Sequence, residues 1–142
     1  METWEIEARL QIRALVDKNA VLYDLDRFEE AYGVFTEDGV LEPVAGQKVR
    51  HGRADILSRF AARPDGRLGE YEYVRHNITS HYLDELTETS AVGYTYYLAY
   101  KDGHVSTAGY YLDHFVKVGA EWAIARRTVH QDLSRVAAPT HL

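Results

Sequence analysis

Between Thr3 and about Tyr23 the chain has no glycine or proline, and its apolar positions recur at helical spacing. Ala8, Ile12, Leu15, Asn19 and Leu22 fall on one face, flanked by Val16, Ala20 and Tyr23, which predicts a long amphipathic helix with Thr3 as its N-cap. A shorter helix is expected from Arg27 to about Tyr32. Asp26 would be its N-cap, Glu29 three residues later completes a capping-box pattern, and Gly33 ends it. Thr36-Glu37-Asp38-Gly39 reads as a turn and Val40-Leu41-Glu42 as a short strand stopped by Pro43. A third helix is expected from about Arg53 to Ala62, started after Gly52 and closed by Arg63-Pro64-Asp65-Gly66.

After Gly69 the period changes. Tyr71 to Leu83, Ser90 to Lys101, His104 to Val118 and Glu121 to Gln131 are long runs rich in Tyr, Val, Ile and Thr, the signature of strands. Lys101-Asp102-Gly103 and Val118-Gly119-Ala120 read as tight hairpin connections. Helices followed by a strand meander predict an α+β fold, a cone in which N-terminal helices pack on a curved antiparallel sheet and enclose a pocket. The whole chain of 142 residues reads as a single domain, with 134–142 a frayed tail.

Composition narrows the function. Cysteine is absent, which excludes disulfide scaffolds, thiolate metal sites and cysteine nucleophiles. A net charge of −6 without any Lys/Arg block argues against nucleic acid and membrane as partners. The acidic start, Met1-Glu2-Thr3-Trp4-Glu5, lacks the pattern of a secretory signal, so a cytoplasmic location is expected. Eleven tyrosines suit half-buried strands, and also suit a pocket for a small hydrophobic ligand, where each offers an apolar body and a polar tip.

Strand alternation sorts the candidate chemistry. Val74, His76 and Ile78 share one face, expected to be the inner one, while Asn77, Thr79 and His81 share the other. His76 is then either a core histidine bonded to backbone or a neutral general base held against apolar walls. Asp24 is the carboxylate left over where the first helix ends, either solvated in a loop or set against His76. There are seven histidines, but His76 and His81 fall on opposite faces, His51 and His104 sit in or beside turns, and no HxH or HExxH spacing occurs, so no metal is expected. The serines lack a G-x-S-x-G context, and Gly66 to Gly69 lacks the setting of a phosphate loop. Arg126 shares a face with Trp122 and Ile124, and Arg127 shares one with Ala125 and Val129. Alternation leaves open which one turns inward. An inward arginine would hold a substrate oxyanion or a cross-sheet salt bridge.

Four segments together resemble a known family: Tyr23-Asp24-Leu25-Asp26-Arg27-Phe28, Phe35-Thr36-Glu37-Asp38-Gly39-Val40-Leu41, Arg75-His76-Asn77-Ile78-Thr79 and Trp122-Ala123-Ile124-Ala125-Arg126-Arg127. The resemblance is to the SnoaL-like family of the nuclear-transport-factor-2-like superfamily and covers the chain from about Glu5 to Asp132. It implies the cone-shaped α+β fold, in a superfamily of dehydratases, isomerases, cyclases, epoxide hydrolases and non-catalytic subunits. Tyr23-Asp24 is similar to the Tyr-Asp pair of the member scytalone dehydratase, His76 to its strand histidine, and Gly93-Tyr94 falls in step with a Gly-Tyr there. Lys101 stands where that enzyme has a second pocket histidine, and Gly109 and Tyr111 replace its Ser and Asn. No tyrosine near Pro43 matches its remaining pocket phenol. These departures argue against scytalone as the substrate.

The expected activity is a cofactor-independent acid–base lyase or isomerase, dehydratase-like, acting on a small hydrophobic carbonyl or polyketide- or steroid-like compound. His76 would move a proton beside a carbonyl, with Asp24 orienting it or aiding departure of water. Tyr23, Tyr97, Tyr111 and Arg127 are the expected substrate-binding residues. The alternatives are a non-catalytic module like the small subunit of a ring-hydroxylating dioxygenase, or an epoxide-hydrolase or ketosteroid-isomerase-like enzyme using Asp24 as base. Tyr94, Tyr96 and Tyr110 on the outer sheet face predict a sheet-to-sheet homodimer, and the resemblance implies a homotrimer as the alternative.

Overall fold

In the computed structural model, which describes residues 1–60 and 73–134, the N-terminal apolar stripe folds as α1 (Thr3–Asp24). Ala8, Ile12, Val16, Asn19, Ala20 and Leu22 are its buried positions, so the period read from the sequence is the face that meets the sheet. Glu2, not Thr3, takes the N-cap position, and no side chain caps that end. At the other end Asp26 has φ +60° and lies between two closing bonds, Asp26 N–H to the Tyr23 carbonyl and Arg27 N–H to the Leu22 carbonyl. That pair is the Schellman arrangement, so Asp26 terminates α1 and does not cap the next helix. The next helix, α2 (Phe28–Tyr32), has Arg27 at its N-cap position and ends at Gly33 as expected.

Strand β1 (Phe35–Glu42) runs through the segment read as a turn. It pairs in parallel with the last strand, and its register shifts between Phe35 and Val40 while the partner advances only from Ile124 to Arg126. Thr36-Glu37-Asp38-Gly39 is therefore a bulged stretch within a strand, where turn-forming residues absorb the extra length. A two-residue strand, β2 (Arg50–His51), pairs with β1 and has no signal in the sequence beyond two residues before Gly52. Helix α3 (Arg53–Ser58) follows, tied to β1 by Arg53 donating to the Phe35 carbonyl. The expected end of this helix near Ala62, the 63–66 closure, Gly66 to Gly69, the strand start at Tyr71 and the tail beyond Ser134 lie outside the described residues.

The long strands are β3 (Val74–Leu86), β4 (Ser90–Lys101), β5 (His104–Val118) and β6 (Glu121–Ser134). They form one six-stranded sheet in the order β2-β1-β6-β5-β4-β3, antiparallel except for β1 against β6. The N-terminal helices pack on its inner face through α1 against β3 and β6. Phe35, Phe115, Ile12, Ile56 and Ile124 are the largest fully buried apolar side chains, each contributing about 2 kcal/mol by leaving water. This is the α+β cone that the element order implies.

Two bulges decide what faces the core. On β3 the register against β4 shifts between Ile78 and His81, so Thr79 and Ser80 are both exposed and His81 turns to the side of His76 and Ile78. The two histidines therefore do not lie on opposite faces. Arg13 of α1 donates to the carbonyls of Ile78 and Thr79 at this bulge, groups that the irregular ladder leaves for a side chain. On β6, Ile124 opposes Phe115 but Arg126 already opposes His114, so Ala125 is the extra residue. Arg127 then joins Trp122 and Ile124 in the core, and Arg126 points outward to Glu42. Among the described residues no helix is long and apolar enough to cross a membrane.

Candidate active site

The last residue of α1 and the third residue of β3 meet at the edge of the sheet. β3 has a neighbour on one side only, so its outward backbone N–H groups need another acceptor. Asp24 supplies it: Oδ2 accepts the His76 backbone N–H at 2.6 Å, and Oδ1 lies 2.6 Å from His76 Nδ1. The side chains are 6% and 19% exposed, Asp24 being the more buried. A carboxylate facing Nδ1 fixes the proton there in the neutral ring and leaves the lone pair on Nε2. No residue among those described hydrogen-bonds Nε2.

Tyr23, the neighbour of Asp24, sets its ring edge-on to His76, centroids 5.1 Å apart. It is also in edge contact with Phe28, Tyr32 and Phe60, so the junction between α1 and α2 forms an aromatic wall. Burial pushes the Tyr23 hydroxyl far above the usual phenol range, with Tyr32, Tyr111 and Asp24 adding to the rise and Arg59 opposing it. Tyr111 is likewise raised, chiefly by burial, and stacks on Tyr97 at 4.6 Å. Tyr97 is pushed up to about 12 by burial and then by Asp132. All these phenols stay neutral donors across physiological pH. None of Tyr23, Tyr32, Tyr97 and Tyr111 has a hydroxyl hydrogen bond among the described residues. Such hydroxyls are available to hydrogen-bond a ligand. Tyr97, on β4, pairs with Ile78 of β3, so it stands between Tyr111 of β5 and the strand that carries His76.

A second polar unit lies in the core. Arg127 donates through Nε and Nη2 to the two oxygens of Asp113, both at 2.8 Å, and through Nη1 to Asn19 Oδ1 at 2.7 Å. Asn19 passes the connection on by donating to the Ala31 carbonyl. The guanidinium also lies over the Tyr111 ring, 4.0 Å from its centroid. Burial alone would lower the Arg127 pKa, but Asp113, Tyr111 and Tyr32 outweigh it and the net shift is upward. Of the two openings the sequence left, the structure fills the cross-sheet salt bridge. Asn19 and Asp113 were not among the expected site residues, although a polar Asn in the apolar stripe of α1 was a visible signal.

His81 also sits inside, its Nδ1 2.9 Å from Thr95 Oγ1, with Nε2 buried and unpartnered among the described residues. Burial, followed by Arg13, lowers its pKa. Among the described residues no three His, Asp or Glu side chains are grouped to hold a metal ion.

A family model described as SnoaL-like domain matches residues 4–128. No curated protein matches the chain. Among solved structures, a candidate scytalone dehydratase from Novosphingobium aromaticivorans superposes with TM-score 0.80 at 20% identity, covering 94% of this chain and 89% of that one. The beta subunit of a candidate aromatic-ring-hydroxylating dioxygenase from the same organism gives TM-score 0.80 at 19% identity, covering 94% of each. A hexachlorocyclohexane dehydrochlorinase, LinA type 2, gives TM-score 0.74 at 14% identity, covering 98% of each. At these identities the structures share the fold with this chain, and what each does is its own. With most of its length matched by one family model, the chain belongs to the SnoaL-like domain family.

Proposed function

We propose that the protein is a cofactor-independent acid–base lyase or isomerase, dehydratase-like, acting on a small hydrophobic carbonyl compound of polyketide or steroid type. The observation that carries this reading is the Asp24–His76 pair, in which one carboxylate holds both the backbone and the ring of the histidine and leaves Nε2 without a partner among the described residues. An oriented imidazole lone pair beside an apolar wall suits removal of a proton next to a carbonyl. The unpartnered phenols of Tyr23 and Tyr111 would then donate to the oxygen as it gains negative charge. Tyr97 supports Tyr111 by stacking, and Arg127 acts through Tyr111, because its fork is occupied by Asp113. The dehydratase and dehydrochlorinase names among the structural neighbours are in keeping with eliminations of this kind.

Asp24 as the direct base is less well supported, since both its oxygens are engaged by His76. A purely assembling module is the reading that the dioxygenase beta subunit favours. The deciding measurement is deuterium uptake by NMR at the carbon next to the carbonyl of 2-tetralone in D2O. Uptake well above buffer, lost in His76→Ala, supports the enzyme, and uptake no faster than buffer overturns it. For assembly, the outer face carries Tyr94 against Tyr110, and Tyr110 stacked on His130. Such an aromatic surface supports a homodimer or homotrimer, which light scattering would distinguish from a monomer.

A further inference from the structure

Pro43, Gln47, Lys48, Arg50 and Arg59 line a recess of about 260 Å³ between the β1–β2 connection and the end of α3. The chain as a whole carries −6, yet no carboxylate is among these lining residues. Arg50 has a long contact with Asp55, 3.5 Å, and that carboxylate is already engaged by the His51 backbone N–H at 2.9 Å. Lys48 and Arg59 have no ion-pair partner among the described residues.

Arg59 joins this recess to the candidate active site. Its guanidinium carbon lies 5.2 Å from the Phe60 ring centroid. Phe60 in turn lies 6.0 Å from Tyr23 and 5.5 Å from Tyr32, and Tyr23 is 5.1 Å from His76. The field of Arg59 reaches both phenols, working against the effect of burial on each. A half-buried guanidinium with no counter-ion among the described residues, steadied over an aromatic ring, is a site prepared for an anion. At about 260 Å³ the recess falls below the usual size of a pocket for a whole organic ligand, so it suits one end of a molecule.

We infer that the Lys48–Arg50–Arg59 recess binds a carboxylate on the substrate, whose hydrophobic carbonyl-bearing end lies along the Tyr23 wall toward His76. The substrate class is then a hydrophobic keto or hydroxy acid. The inference builds on the acid–base reading of His76 and adds the charge of the ligand.

The test is calorimetric titration of the whole chain with 2-naphthoate and with 2-acetonaphthone, which share an aromatic body and differ in charge. Naphthoate is expected to bind about tenfold tighter, and the difference should shrink as salt is raised. Arg59→Gln and Lys48→Gln should each weaken naphthoate and leave acetonaphthone unchanged, and the double variant should remove the preference. Equal affinity for the two probes, or a preference intact in the double variant, overturns the inference. So does inorganic phosphate that binds as tightly as naphthoate and displaces it, since the recess would then be a site for free anions. His76→Ala should keep the naphthoate preference while losing proton exchange. A failed anion site and a failed catalytic reading therefore give different results.

Discussion

The carboxylate of Asp24 holds His76 at two points, Oδ2 on the backbone N–H and Oδ1 on ring Nδ1, each at 2.6 Å, across 52 residues of sequence. The backbone bond fixes where β3 lies against the end of α1, and the ring bond fixes the tautomer. Position and protonation of one imidazole thus depend on a single side chain. That side chain is itself placed by the left-handed Asp26 closure of α1.

Asp24→Asn separates these two tasks. The amide oxygen still accepts the His76 backbone N–H, but its NH2 presents a donor to Nδ1, which moves the ring proton to Nε2. The variant should remain folded and lose α-proton exchange by roughly a hundredfold or more, as His76→Ala does. Nitrogen-15 shifts of the imidazole check the mechanism. An unchanged Nδ1–H tautomer in the variant would contradict it.

The lowered pKa of His81 gives stability a pH dependence. Burial is the largest cause and the ordinary value is 6.5, so in the window below it the unfolded chain binds a proton that the folded chain resists. The contribution is complete above about 6.5 and declines as pH falls through the folded pKa. Urea midpoints measured from pH 8 to pH 5 should therefore fall more steeply for the wild-type chain than for His81→Gln. Parallel curves would refute this.

Arg127 is held more by structure than by solvent. Arg127→Met leaves the Asp113 carboxylate buried and unpaired and is expected to destabilise the fold by about 3–5 kcal/mol. Adding Asp113→Leu to that variant should recover part of the loss, because the pair is then replaced by apolar volume. Thermal unfolding of the single and double variants measures the difference.

Gly109 is required by a close approach of strands. A Cβ there would lie 1.9 Å from the His130 carbonyl oxygen, at the point where the β5–β6 register shifts. Gly109→Ala must push backbone aside, and a loss of about 1–3 kcal/mol is expected in chemical denaturation.

The period of apolar residues determined α1 by itself, and the Tyr- and Val-rich alternation determined β4 and β5 to both their ends, because both patterns are local consequences of backbone geometry. Gly93, Thr95, Tyr97 and Ala99 of β4 are all buried on one face, as strand alternation requires. What alternation could not carry was parity across an inserted residue. The bulge between Ile78 and His81 turned His81 inward, and the extra residue Ala125 chose Arg127 over Arg126. Bulges form where neighbouring strands and helices demand extra twist, a condition set by partners far along the chain. The same holds for Thr36 to Gly39, whose turn-like residues form the bulged stretch between the two parts of β1 that pair with β6. Sequence and resemblance named Asp24 and His76 and left open whether Asp24 is solvated or set against the histidine. Their joining was decided by tertiary structure, since an edge strand's free N–H finds its acceptor only once α1 has packed beside it.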